Sequence, residues 1–522
     1  LDSTYDCCSE CRENFPNRIA YSQVSFQEEL EDNFKIFLPN NYRDVEAEMG
    51  PITDLFTKHN ELYVHAENAL YHIPQNIQER VTGDLLTFIG TGEYLGVPER
   101  KLLEGRSAGT KHKTATTKTR QGVIFLSEEE GKVYLFDNKM NEISNIGERN
   151  FFENNLKSFI NEDFLELADI EFPNQRNPHN PVGTGYSVGY DRRFNRIIIT
   201  KKDFRIAESY RADFQVYDSS KTSIVALTHT ILVFDLFDNK FYLIGTNNSR
   251  FAVTFRFSSV FENHSWSKSF SFHTKTWISY HSYLPYAYIN QIDEFFSLKS
   301  DNRVIAKHNS INRFTTYHGI TYPFIFEPVH VTDPMNDKIH DDFKIDTVVK
   351  EYLTTDVNSQ NYTERDDITF NQAMFYNHKQ NSGYVVLNPR NNNDPDYLTK
   401  RVNNNQFILV EDISREEGHW NFNSFRDYVE EYGLPMFVNN WADIQSDYYI
   451  DKVLNQSKMN YNKHWSELQP LRDKYLICRL IFRNFGLIVQ PPPGSNTPLP
   501  FNIDRFQITV NYFMQNETPS IR

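Results

Sequence analysis

The sequence predicts a mainly β protein: propeller-like repeated β-hairpins with a short helical insertion, followed by a second β-rich, sandwich-like domain. Three observations carry this. A hairpin recurs, in which an apolar strand meets a polar turn and an aromatic-rich strand returns. Residues 122–126 turn at 128–131 and return as 132–136; residues 231–237 turn at 238–240 and return as 241–244. Weaker copies centre on Glu67 and Asn68, on residues 191–195, and on Thr274 and Lys275. Asn, Asp and Gly tolerate the backbone angles that reverse a chain. A recurrence of roughly 40 to 60 residues is the range of propeller blades. Composition agrees. Of 522 residues, 15% are aromatic, with 42 Phe and 30 Tyr, and such residues suit pleated, half-buried surfaces. The 20 Gly fall below the usual share of about 7%. Finally, one segment changes period. Phe152, Leu156, Phe159, Ile160 and Leu167 share a helical face, which predicts one helix over residues 151–167 that caps the β scaffold. Glu153 near its start suits the helix dipole.

The elements follow in order. Residues 1–16 form a polar, Cys-containing N-terminal arm. A propeller-like β domain covers 17–333. It opens on a strand at 18–26, carries its first hairpin within 53–73, and passes a Gly-containing loop region at 80–106. Residues 173–181 are a turn-rich connector, and strands resume at Tyr186 and run to Ile289. Composition shifts near Pro334 towards Asn and Asp, and the second β-rich domain is placed at 334–522. There, residues 422–432 read as a short amphipathic helix, while 472–489 and 501–514 read as strands. The Pro-rich segment 490–500 cannot enter a central sheet.

The formal net charge of -15 disfavours general nucleic-acid binding, yet suits a surface along which DNA slides without sticking. Mean hydropathy is -0.60, and no apolar run approaches the ~18 residues of a membrane span. Of four Cys, Cys7, Cys8 and Cys11 crowd one end and Cys478 stands alone. That is no secreted disulfide framework, and it points to assembly in a reducing compartment. The chain begins with Leu1, which fits either a piece cut from a longer precursor or a trimmed chain.

Each motif has a bland reading beside the chemical one. Residues 185–189 match GxSxG, but a nucleophilic Ser needs a strand-to-helix turn, and here a turn and another strand follow. Residues 90–96 miss the dinucleotide fingerprint because Leu95 stands where the third Gly belongs. Cys7, Cys8 and Cys11 lack a matching ligand pair for zinc. Asp333, Asp337, Asp341, Asp342 and Asp346 form an acidic cluster without the EF-hand pattern, read as a solvated loop. Lys111, His112, Lys113, Lys118 and Arg120 lie in a Thr-rich strand that is free of acids from 108 to 120. It can touch phosphates or an acidic neighbouring subunit, or serve only as an edge strand blunted by Lys. No catalytic, cofactor-binding or metal-binding residue is nominated, and no cofactor is expected.

Several stretches fall in a familiar order: Asn-Arg-Ile-Ala-Tyr-Ser at 17–22, Phe-Leu-Pro-Asn-Asn-Tyr-Arg-Asp at 37–44, and Ile-Thr-Asp-Leu-Phe at 52–56. Ala-Leu-Tyr-His-Ile-Pro at 69–74, Ser-Ala-Gly-Thr-Lys-His-Lys at 107–113, Gly-Val-Ile-Phe at 122–125 and Trp-Ile-Ser-Tyr-His-Ser-Tyr at 277–283 continue it. The ordered set resembles the tail muzzle proteins of crAss-like bacteriophages, nozzle-like proteins at the distal tail, over about residues 17–289. The resemblance implies a non-enzymatic structural component of the virion tail, assembled in the host bacterial cytoplasm. It implies a homo-oligomeric ring, with a hexamer among the options, that closes the channel and gates ejection of DNA and packaged proteins. Its expected partners are further copies of itself, other tail proteins (ring, hub or fibre) and, transiently, the DNA or cargo passing the channel, with no stable membrane association. Loops at 389–397 and 490–500 are candidates for subunit contact or the gate. The competing class is a carbohydrate-binding or glycan-degrading β-propeller at the host surface. Trp266, Trp277, Trp420, Trp441 and Trp465 are too scattered to define a sugar platform.

Overall fold

The structure is a computed structural model. It describes residues 14–23, 33–75, 78–80, 86–88, 94–103, 106–137, 139–173, 184–218, 229–246, 249–254, 259–291, 294–299, 304–308, 316–318, 320–322, 324–331, 334–352, 362–365, 369–370, 372–378, 380–386, 414–416, 419–423, 426–427, 429–431, 458–459, 467–482, 487–489, 499–501 and 506–517. The chain divides into two compact units, Leu1–Ile305 and Ala306–Arg522. Both are mainly β, built from many small sheets, and none of the described sheets closes on itself. The Cys7, Cys8 and Cys11 arm and the 389–397 loop lie outside the described residues.

In the first unit, every hairpin named from the sequence is present. Val123–Ser127 pairs antiparallel with Lys132–Phe136, and Ile231–Asp235 with Lys240–Ile244. Glu61–Ala66 pairs with Leu70–Ile73, Gly185–Asp191 with Arg196–Lys202, and Trp266–Ser271 with Thr276–Tyr280. The reversals use left-handed residues: Gly131 at φ 65°, Asn195 at 47°, Asn239 at 54° and Lys275 at 55°. One further hairpin turns at His59 and Asn60, both at positive φ (49° and 65°), joining Ile52–Lys58 to Glu61–Ala66. Two consecutive positive angles suit the right-handed strand twist.

Side-chain alternation divides these strands between cores. In Ile231–Asp235, Ile231 and Val233 pack with Ile244 on one side. Leu232 and Phe234 face the other side and join Phe241, Ile160 and Phe164. A period of two places neighbouring residues on opposite faces, so one strand serves two clusters. The Val123–Ser127 strand is buried along its length. Its Val123 and Phe125 pack with Phe56, Tyr63, Tyr134 and Phe136.

The helical insertion is two helices rather than one: α1 at Arg149–Asn155 and α2 at Phe159–Ala168. The break has a non-local cause. Lys201, 1% exposed, donates to the carbonyls of Asn155, at 2.9 Å, and Lys157, and pairs with Asp203 Oδ2 at 2.8 Å. The same Asp203 carboxylate accepts the Phe159 N–H at 2.6 Å and the Ile160 N–H at 3.3 Å. It thereby satisfies the orphan donors at the start of α2, where Ser158 makes no side-chain cap. Further along, the fully buried Asp163 accepts from Arg205 at 3.2 Å, Arg211 at 2.5 Å and the Ile206 N–H at 2.7 Å. Two buried carboxylates thus pin α2 to the 201–211 segment. Its Ile160 and Phe164 then cover the β core, as the capping expectation requires.

The second unit contains a five-stranded and a six-stranded sheet. In the first, Leu476–Phe482 is buried at every position and pairs with Phe324–Phe326 and Gln372–Tyr376. In the second, Lys338–Tyr352 pairs with His419–Asn423 and with Phe506–Glu517. Phe343 and Phe375 bring the two sheets into ring contact at 5.3 Å. Two expectations are corrected here. Asp341, Asp342 and Asp346 lie within the Lys338–Tyr352 strand, not in a loop, and Asp333 lies outside the described residues. Residues 422–432 hold no helix among the described residues: Phe422 belongs to the His419–Asn423 strand opposite Phe343, and Val429–Glu431 is another strand. Pairing with a long neighbouring strand overrides a weak helical period. Pro500 sits in the two-stranded Leu487–Val489/Leu499–Phe501 pair, an edge position open to proline. Burial, with Glu327 nearby, pushes the Cys478 thiol well above the ordinary thiol range, so it is an inert structural cysteine.

Candidate functional site

The GxSxG stretch is a plain strand, and its second glycine has a packing reason. Gly185–Asp191 runs antiparallel into Arg196–Lys202, with Ser187 opposite Thr200 and only 3% exposed. A Cβ at Gly189 would lie 2.5 Å from Tyr288 and 2.8 Å from Phe295, whose rings stack at 5.3 Å. Glycine is needed for two aromatic rings to lie against the strand. Gly189→Val is expected to destabilise by about 1–3 kcal/mol through overpacking, while Ser187→Ala stays near neutral because its buried hydroxyl has no hydrogen-bond partner among the described residues. Denaturant unfolding of both variants checks this, and equal effects would refute the packing role.

Other titratable groups are enclosed. His112 and Glu128 pair at 3.3 Å, 2% and 7% exposed, and Lys111 meets Glu129 at 3.1 Å. The inner half of the basic stretch is therefore bound to the acidic turn of the adjacent hairpin. Burial, partly offset by Glu148 at 2.7 Å, pulls the Lys268 ammonium down to about 8. That group is covered by Glu148, Tyr280 and Phe151. Among the described residues, no group of three or more His, Cys, Asp or Glu is placed to hold a metal, and no helix is long and apolar enough to cross a membrane. Trp266 and Trp420 are each 2% exposed, and Trp277 packs on Phe152 and Phe270. Trp441 and Trp465 fall outside the described residues.

The outer half of the basic stretch opens onto a cleft. Thr116–Lys118 is the edge strand of its four-stranded sheet. The cleft beyond it has a volume of about 840 Å³ and is lined by Lys118, Thr119, Arg120, Tyr190, Arg192, Asn290, Gln291 and Glu294. Three turns meet here and are tied together. The Thr119 hydroxyl closes the first turn, donating to Gly122 O at 2.8 Å and accepting the Gln121 and Gly122 N–H groups. Gln121 Nε2 reaches Asn195 Oδ1 at 3.1 Å in the second turn, where the Tyr190 hydroxyl donates to the same oxygen at 2.9 Å. Asn290 fixes the third: its Oδ1 accepts the Tyr190 N–H at 2.9 Å and its Nδ2 donates to Thr117 Oγ1 at 2.8 Å. Asp191, the acid next to Arg192 in sequence, is 1% exposed and committed to Arg196 at 3.1 Å. Arg192 Nε is shut off from solvent without a hydrogen-bond partner among the described residues. Sequence reading found Lys118 and Arg120 by their run of basic residues. It missed Arg192, whose neighbour Asp191 masks it in sequence and turns away in space.

Small open sheets, internal ion-pair cross-links and a basic cleft define a β scaffold. The family follows from comparison: the model of the Crassvirus muzzle protein family matches residues 3–301, and the chain belongs to that family. The family suggests a structural component of the crassvirus tail, located in the virion. Comparison with curated proteins gave no match.

Proposed function

We propose that the chain forms an oligomeric muzzle ring at the distal end of the phage tail, which closes the channel and gates ejection of DNA and packaged proteins. The observation that carries this is the muzzle-family match over residues 3–301. A closed ring needs head-to-tail interfaces, and the described surface offers apolar anchors for them. Phe37 is 61% exposed, Phe237 84% and Phe251 62%. The propeller-like arrangement and the sandwich-like second domain are part of the same proposal; recurrent four-stranded sheets and the Phe343–Phe375 contact are the units they need. So are the partner tail proteins, assembly in the host cytoplasm and a non-enzymatic role. The structural character of the family lends no support to the carbohydrate alternative.

Gold-labelled antibody against this chain, imaged on purified virions by electron microscopy, is expected to mark the distal tail tip. Label on the capsid, or on no particle, would overturn the reading, and binding on a glycan array would then promote the alternative.

A further inference from the structure

Neutral hydrogen bonds among its turns hold the basic cleft in shape. Among the described residues its cations form no ion pair, whereas Lys111, His112, Lys201, Arg205, Arg211 and Lys268 all do. Three cations against the one carboxylate of Glu294 make it a local reversal of sign on a chain of net charge -15. We propose that this cleft binds the phosphodiester backbone of a nucleic-acid strand, with Lys118, Arg120 and Arg192 as the phosphate-contacting residues.

Four features select that chemistry. The cleft's volume of about 840 Å³ exceeds what one carboxylate or one phosphate fills and lies within the range of ligand sites. Tyr190 is the one apolar body in the lining, and it is 6% exposed. The cleft thus lacks the apolar pockets that anchor a peptide and an open ring face on which a base would stack. Recognition of the backbone alone, independent of sequence, is what such a lining supports. The turns are held in place by Gln121, Asn195, Tyr190 and Asn290 before any ligand arrives, so little ordering is needed on binding. The acidic remainder of the chain opposes the same ligand, which keeps the contact weak, salt-sensitive and reversible. Such a contact suits a strand that must move on. The biological setting rests on the proposed position in a tail channel; the binding itself is a property of the purified chain.

The test is fluorescence anisotropy of a labelled single-stranded oligothymidylate with the purified full chain between about 50 and 200 mM salt. Binding in the range of about 10⁻⁴–10⁻⁶ M, weakening as salt rises, is expected. The triple variant Lys118→Gln, Arg120→Gln, Arg192→Gln should weaken it about tenfold or more and reduce the log–log salt slope by about 2, since each phosphate contact on a single strand contributes roughly 0.7. Lys240→Gln, an exposed lysine on another hairpin, should change neither. Arg120→Gln alone, at an exposed turn, should give a partial loss with the unfolding midpoint unchanged, which covers a misfolded triple variant. Absence of binding, or a triple variant that binds like the parent, overturns the proposal. So does equal competition by orthophosphate, which would make this a small-anion site, or by polyglutamate, which would make it a protein-docking site. Tail-tip labelling tests the ring reading separately, so the two can fail independently.

Discussion

Asp203→Ala is expected to cost about 3–5 kcal/mol, the loss that follows when one member of a buried ion pair is left alone. Asp203 and Lys201 are both 1% exposed and 2.8 Å apart. The carboxylate also holds the first N–H groups of α2 at Phe159 and Ile160. The ammonium meanwhile closes the carbonyls of Asn155 and Lys157. Removing Asp203 strands a buried cation and uncaps a helix in one step. Asp203→Asn keeps an acceptor for the helix and should cost less than Asp203→Ala. Lys201→Met with Asp203→Ala should cost less than the sum of the two single changes, by at least about 1–2 kcal/mol, because contacting groups are not additive. Denaturant unfolding of the four variants, read by hydrogen exchange in the Phe159–Ala168 helix, completes the cycle. Strict additivity would show that the pair is not coupled and that α2 owes its place to Ile160 and Phe164 alone.

The same site shows why sequence reading reached part of this structure. Hairpins were legible because their signals are local: Asn195, Asn239 and Gly131 announce a reversal within a few residues, and the structure puts each at positive φ. The His59–Asn60 turn was less visible, since His carries no turn signal of its own. The helical stretch was legible as a face but not as two helices. Its interruption is imposed by Lys201 and Asp203, some 44 residues away in sequence, and no periodicity within 151–167 encodes that. Strand partners over long separations were invisible for the same reason. Arg196–Lys202 pairs with Trp266–Ser271, and Phe422 pairs with Phe343 where a helix was expected. The candidate cleft was half legible. Lys118 and Arg120 announce themselves by density of charge, while Arg192 and Asn290 join them only through tertiary contacts, those of Tyr190 and of Asn290 with Thr117.

Acid is expected to loosen the first unit through His65, and the sign follows from its surroundings. His65 is fully buried between the rings of Phe56, at 5.1 Å, and Phe125, at 4.6 Å. Neither ring nitrogen has a hydrogen-bond partner among the described residues. Burial alone lowers its pKa from 6.5 to about 3, so the folded chain holds it neutral where the unfolded chain would protonate it. The unfolded state therefore binds more protons between those two values, and stability falls as pH falls from about 6.5 towards 3. The loss reaches about 2 kcal/mol by pH 5, since each pKa unit is worth 1.36 kcal/mol. Above about pH 7 the group has no effect. His65→Leu removes the titration while keeping an apolar body of similar size, so the difference between variant and parent isolates His65 from every other titrating group. Hydrogen exchange in the Glu61–Ala66 strand, followed from pH 8 to 5 and corrected for intrinsic rates, should show the parent losing protection that the variant keeps. Parallel curves for the two proteins would mean that His65 gains a proton-accepting partner on acidification, and that the aromatic cluster around Phe56 and Phe125 admits charge without opening.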